Sequence, residues 1–234
     1  MSYKESLETF IYIGFDKLSL CVFEDVNKMI FEEETIIENL KEKKDLSALL
    51  DKFLEENIIK LEKKINKFVN EINLIIFDIN FLLIQASIKS NGRGNEITDS
   101  DLNHLLFDLK QQIKENNPDK TITQMRINNF LLDKKKYFKL MENFECKELC
   151  LQIDFICLPN KVISDVSQKI KKYQISVDKI FSAKYLREFS IKNNESECQI
   201  AARLKYEQDE NEVHIIKKIS QKKGFFERFF GFFN

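Results

Sequence analysis

Apolar positions along the chain change period several times, and the changes mark its elements. Phe10-Ile11-Tyr12-Ile13 leads into Gly14, after which Leu18, Leu20 and Val22 alternate with Ser19, Cys21 and Phe23. A polar turn at Asp25-Val26-Asn27 precedes Met29-Ile30-Phe31, so residues 10–33 read as short strands. An acidic, lysine-rich connector is expected from Glu32 to Lys44. The spacing then widens to three and four: Leu46, Leu49, Leu50, Phe53, Leu54, Ile58, Leu61, Ile65, Phe68, Val69 and Ile72 form one stripe, predicting a long helix from about Asp45. Part of that stripe keeps a heptad step. It is too short for a stable coiled coil, which favours a helix packed on its own sheet.

Two strands follow, near 73–78 and 81–89, broken at Asp78-Ile79-Asn80. Asn91-Gly92-Arg93-Gly94-Asn95 is a loop, and Thr98, Asp99 and Ser100 offer capping oxygens to a second helix over about 99–115. Leu102, Leu105, Leu106, Leu109 and Ile113 share its apolar face, and Asn116-Asn117-Pro118 ends it. Thr121 to Asp133 predicts one or two strands, and Cys150 to Leu158 alternates strongly. Pro159 opens a third helix bearing Val162, Ile163, Val166 and Ile170, and Tyr173 to Phe181 returns as a strand. The expected class is α+β, with helices on one face of a sheet. A polar patch (Lys192 to Glu197), a short helix around Cys198–Tyr206 and an acidic linker (Glu207 to Glu212) complete the pattern before the tail.

Composition narrows the chemistry. With 37 basic and 38 acidic residues the formal net charge is −1, against general nucleic-acid binding. The cysteines at 21, 146, 150, 157 and 198 include no C-x-x-C pair and read as reduced thiols of a cytoplasmic protein. The two histidines, His104 and His214, do not make a zinc site. The five glycines at 14, 92, 94, 224 and 231 build no phosphate-binding loop, and the carboxylates are scattered along amphipathic helices. These absences predict a protein without enzymatic activity, cofactor or metal. Lys4, Glu5 and Glu8 interrupt any apolar run at the start, and the most apolar stretch, Leu74 to Ile88, contains Asp78, Asn80 and Gln85. Neither a signal peptide nor a membrane span is predicted.

The tail carries the most specific signal. Phe225, Phe226, Phe229, Phe230, Phe232 and Phe233 are six of the chain's 21 phenylalanines. On a helix they cover an arc of roughly 160°. Glu227, Arg228 and Gly231 take the other side, and Lys217, Lys218, Lys222 and Lys223 come before the rings. That is the pattern of a helix lying in a lipid interface, rings toward the acyl chains and cations at anionic headgroups. At about 15 Å it is too short to span. A groove on a partner or on the protein's own core is the other site such a helix could fill.

The order of elements resembles the FtsA family, the actin-like proteins that tether the bacterial division ring to the inner membrane. Residues 45–186 resemble the family's subdomain 1C. Glu96-Ile97-Thr98-Asp99-Ser100-Asp101 resembles its acidic helix start, Ile127 to Asp133 its P-Q-E-Y-x-V-D strand without the proline, and Leu151 to Ala183 its closing strand–helix–strand. Tyr12-Ile13-Gly14-Phe15-Asp16-Lys17 resembles the first phosphate motif, D-x-G-T/S-x-K, with Tyr12 where the aspartate stands. Cys198 to Tyr206 resembles the last core helix, and the tail resembles the family's membrane-targeting helix.

The resemblance implies four parts: 1–44, a β-meander remnant of the first actin-like subdomain; 45–186, the 1C-like interaction domain; 187–213, a remnant core helix and acidic linker; and 214–234, the amphipathic membrane-targeting helix. Both ends have counterparts, implying an internally shortened protein. The second phosphate motif, the adenosine motif and the second lobe have none. The resemblance therefore implies neither ATP hydrolysis nor the usual FtsZ docking site. It implies a membrane-tethered division adaptor on the cytoplasmic face of the inner membrane, meeting anionic lipid, division proteins and copies of itself, but not nucleic acid. A PilM-like adaptor of type IV pilus assembly, binding a peptide from a membrane protein, is the alternative. Having lost their companion lobe, the strands over 10–31 would need a partner, either the helix at 198–206 or a second subunit.

Overall fold

The computed structural model describes residues 7–38, 43–91, 99–138, 146–191, 195–207 and 212–213. They form two sheets with helices packed against them. The first sheet begins as an antiparallel meander of β1 (Glu8–Ile13), β2 (Lys17–Asp25) and β3 (Lys28–Ile36). β4 (Glu71–Ile76) then lies parallel to β1, and β9 (Ser176–Ser182) parallel to β4, giving the order β3-β2-β1-β4-β9. The second sheet, ordered β5-β8-β6-β7, is antiparallel and contains β5 (Leu82–Asn91), β6 (Lys120–Leu132), β7 (Lys135–Tyr137) and β8 (Glu148–Pro159). All of it is inserted between β4 and β9.

The first sheet is covered on both faces, which corrects the expectation of helices on one face only. Continuous apolar runs in β1 and β4 leave every residue from Phe10 to Ile13 and from Ile72 to Ile76 buried, as parallel strands between two layers require. α1 (Lys43–Ile65) and α3 (Asn160–Lys171) bury Leu54, Ile58, Leu61 and Ile170 against Ile11, Leu20 and Leu74. On the opposite face α4 (Ala183–Arg187) and α5 (Glu197–Glu207) pack Leu186, Ile200, Ala201 and Ala202 against Phe10, Phe23, Ile75 and Phe181. Thus α5 covers the strands over 10–31 for which the sequence reading expected a partner. The second sheet has the one-sided arrangement: α2 (Asp99–Asn116) sets Leu102, Leu106 and Leu109 on Met125, Ile127, Leu151 and Phe155.

Other boundaries also differ from the sequence reading. The connector expected from Glu32 is strand until Ile36, because β3 is an edge strand and tolerates an acidic face. The helical stripe expected to reach Ile72 stops at Ile65. Asn66 adopts a left-handed φ of 52°, and Val69 and Ile72 join the same apolar cluster from the loop and β4. Phe68, counted on that stripe, is exposed. A boundary at 45 divides the first sheet, since α1, β4, α3 and β9 belong with the meander.

Polar contacts join the sheets beside the packing of Leu158 in the first sheet's core. Gln124 of β6 donates its amide to the carbonyl of Ile180 in β9. Lys179 pairs with Glu212 at 2.8 Å, while the Val213 amide donates to the Met125 carbonyl at 2.8 Å, adding a short antiparallel bridge to β6.

Candidate functional site

The turn after β1 holds Tyr12 and Gly14, which the resemblance to FtsA singles out as a degenerate phosphate motif. Gly14 donates its amide to the Lys17 carbonyl at 3.0 Å, and the Ile13 carbonyl accepts from the Phe77 amide at 2.9 Å. The turn is therefore hydrogen-bonded to itself and to the chain leaving β4. Tyr12 is 1% exposed and donates its hydroxyl to Asp16 Oδ1 at 3.4 Å. A Cβ on Gly14 would lie 2.6 Å from Tyr12 Cε1, 2.7 Å from its hydroxyl and 2.6 Å from Asp16 Oδ1. Glycine is needed here because a tyrosine ring and a carboxylate already occupy the space against the turn.

The surrounding charges are also committed. Lys17 pairs with Glu34 at 2.7 Å, and Arg187 with Glu197 at 2.7 Å. Burial, then the carboxylates of Glu197 and Asp16, push the Tyr12 phenol well above its ordinary range, so it remains a neutral donor. An anion approaching Gly14 would meet the Asp16 carboxylate, and the Gly14 amide is already held by the Lys17 carbonyl. The arrangement packs the turn tightly around Gly14.

Beside this turn opens a cleft of about 470 Å³ between the carboxyl ends of β1 and β4, the start of α1 and one side of α3. Ile13, Leu50, Ile76 and Val166 line its apolar wall; Lys169, Lys172, Asp165 and Asp78 are its charged residues. Asp51 of α1 holds Lys169 and Lys172 by ion pairs, the second at 3.4 Å, and fixes the spacing of the two helices. Among the lining residues Phe15 and Phe77 meet edge to face with centroids 5.8 Å apart, and Arg187 lies 5.3 Å from the Phe77 centroid. The sequence reading missed this cleft. Its one local signal was the Asp78-Ile79-Asn80 break, where the chain leaves the first sheet.

The expected membrane-binding residues, Lys217, Lys218, Lys222, Lys223, Phe225, Phe226, Arg228, Phe229, Phe230, Phe232 and Phe233, lie outside the described residues. The chain reaches them from Val213, which packs against the second sheet's apolar cluster. Among the described residues no helix is long and apolar enough to cross a membrane.

The sequence matches no family model and no curated protein. Among solved structures the fold is similar to a PilM-PilN type IV pilus biogenesis complex, at TM-score 0.48 and 11% identity over 79% of this chain and 49% of that one. It is also similar to the cytoplasmic domain of EpsL, an inner membrane component of the type II secretion system of Vibrio cholerae (TM-score 0.37, 7% identity, 77% of this chain and 59% of that one). A Bacteroides thetaiotaomicron protein with an actin-like ATPase fold and unknown function gives TM-score 0.34 and 14% identity, over 80% and 56%. The chain thus spans half to three-fifths of these structures' lengths. At these scores none carries an argument about function, which must come from the residues themselves.

Proposed function

We propose that this protein is a non-enzymatic adaptor, held on the cytoplasmic face of a bacterial inner membrane by its Phe-rich tail and serving cell division. The observation that carries the adaptor reading is the packed turn at Gly14, where Tyr12 and Asp16 crowd the glycine and its amide is held by the Lys17 carbonyl. A fold of this size with a packed first motif is suited to holding partners and not to turning over nucleotide. The tail pattern from Lys217 to Phe233 supports membrane attachment. The ordered resemblance to FtsA supports the division setting, with the second sheet and α2 as the 1C-like surface for division proteins. The usual FtsZ docking lobe has no counterpart, so FtsZ is not proposed as a direct partner.

A specific observation favours a second reading. The cleft beside α3 has an apolar wall, a feature that suits a short extended segment with apolar anchors. A PilM-like adaptor that takes a peptide from a membrane protein would use such a cleft.

Co-sedimentation with anionic and neutral vesicles separates the two. The full chain is compared with Phe229→Glu/Phe230→Glu and with a truncation after Gln221. Binding to anionic vesicles that is lost in both variants supports the tether. Absent binding, or binding indifferent to the substitutions, moves the tail into a protein groove and favours the pilus-type adaptor.

A further inference from the structure

Strand edges expose unpaired backbone donors and acceptors, and this protein guards its edges unequally. β3 carries Glu32, Glu33 and Glu34, and its pairing with β2 shifts register twice near Phe23. β7 has only three residues, two of them lysines. The outer side of β9 faces Gln124 and Glu212, and the open half of β6 takes the Val213 bridge.

β5 has none of these protections. It makes ten consecutive pairs with β8 from Leu82 to Asn91 without a register shift. It contains no proline, and its one charged residue, Lys89, is already paired with Glu148 at 2.8 Å. Among the described residues no strand pairs with its other side.

We propose that this edge pairs antiparallel with β5 of a second copy, about a two-fold axis at Ala86. Ile84 and Ala86 belong to the inner set with Leu82 and Ile88 and contact the α2 cluster, while Leu83, Gln85, Ser87 and Lys89 face outward. Centring on Ala86 sets Ile84 opposite Ile88 and Leu82 opposite Ser90, keeping inner residues with inner ones. On the outer face Gln85 meets Ser87, and Leu83 meets the aliphatic stem of Lys89. No like charges oppose each other, whereas β3 in the same role would confront its own glutamates. A foreign strand could use the same hydrogen bonds. The small residue on the axis and the absence of like charges across it favour a second copy.

The two four-stranded sheets would become one of eight, 4 + 4, with both α2 helices on the same face. Val213 packs on that face in each copy, so both tails would start from one side of the dimer. This consequence, unlike the pairing, rests on the membrane reading; it would make attachment bivalent.

Sedimentation equilibrium of the full chain tests the pairing, with Leu83→Lys and Leu83→Glu as paired variants at an outward, 38% exposed position. Leu83→Lys sets lysine against the partner's Lys89 twice and should weaken the dimer by about tenfold, whereas Leu83→Glu should keep or tighten it. Amide exchange over 82–91 should slow with rising concentration. Circular dichroism and urea unfolding establish that both variants fold. The Phe229→Glu/Phe230→Glu full chain should still dimerise, separating this result from any failure of the tail reading. A monomer at all concentrations, or equal responses to the two charges at position 83, would overturn the proposal.

Discussion

Lys205 of α5 reaches Glu8 of β1 at 2.6 Å, tying the helix that covers the open face to the first strand of the sheet. The same ammonium donates to Asn73 Oδ1 at 3.0 Å and to Asp178, so one side chain links β1, β4 and β9. Burial alone would lower its pKa. The hydrogen bonds to Asp178 and Glu8 outweigh that and raise it. A raised folded-state pKa contributes stability that is fully present below the unfolded lysine value and lost as pH climbs through the folded one. Lys205→Met should therefore cost about 1–3 kcal/mol at neutral pH by leaving two carboxylates unanswered. The wild-type advantage should hold to about pH 10 and shrink above it. Urea unfolding of both proteins across that range checks this; an unchanged difference at high pH would mean the lysine acts through packing alone.

The elements that sequence periodicity made visible are those with one clear apolar face. α2 and α3 matched because their leucines and valines face a single neighbour, with polar residues elsewhere. Periodicity does not report when the chain changes partner at constant spacing. Val69 and Ile72 continue the α1 stripe numerically, yet the left-handed Asn66 has already ended the helix. α4 and β7 are too short to show a period. The turn at Gly14 stood out in the sequence only through the resemblance, with Tyr12 where the resembled motif has aspartate. That the ring fills the turn depends on tertiary packing, and so does the cleft, whose walls are separated by more than a hundred residues.

Gly14 and Tyr12 should be energetically coupled. A methyl group on Gly14 would press into the Tyr12 ring and the Asp16 carboxylate, so Gly14→Ala should destabilise by about 1–3 kcal/mol. In a Tyr12→Ala background the ring is gone and the same substitution should cost less. A double-mutant cycle by urea unfolding measures the difference. Strict additivity would show that the ring does not occupy the turn. Tyr12→Asp, which restores the aspartate of the resembled motif, should destabilise the protein through cavity formation and a carboxylate placed beside Asp16. ATP should not raise its melting temperature.

Thiol chemistry should single out one cysteine of five. Cys21, Cys146, Cys157 and Cys198 are buried, and only Cys150 is partly exposed. Burial pushes Cys157 up to about 11, and a hydrogen bond with Cys21, together with burial, raises Cys198. The same bond lowers Cys21, but that thiol is fully enclosed between β2 and α5. Brief iodoacetamide treatment of the native protein at pH 8 should modify Cys150 first, with the other four reacting on unfolding. Early labelling of Cys21 or Cys198, read by peptide mass mapping, would mean that α5 lifts from the sheet under native conditions.

Membrane attachment should depend on salt in a way that separates the lysines from the rings. On the membrane reading Lys217, Lys218, Lys222 and Lys223 would each contribute on the order of 1 kcal/mol at an anionic surface, a share that fades as the Debye length falls below about 8 Å. Ring insertion is not screened. Binding to anionic vesicles should weaken from 0.05 to 0.5 M salt but persist, levelling off at the affinity set by the phenylalanines. Lys222→Gln/Lys223→Gln should flatten the salt dependence while preserving that plateau. Phe229→Glu/Phe230→Glu should remove the plateau itself. If the lysine substitutions abolish binding at every salt concentration, the tail is a purely electrostatic contact, and the rings are free to serve a protein groove.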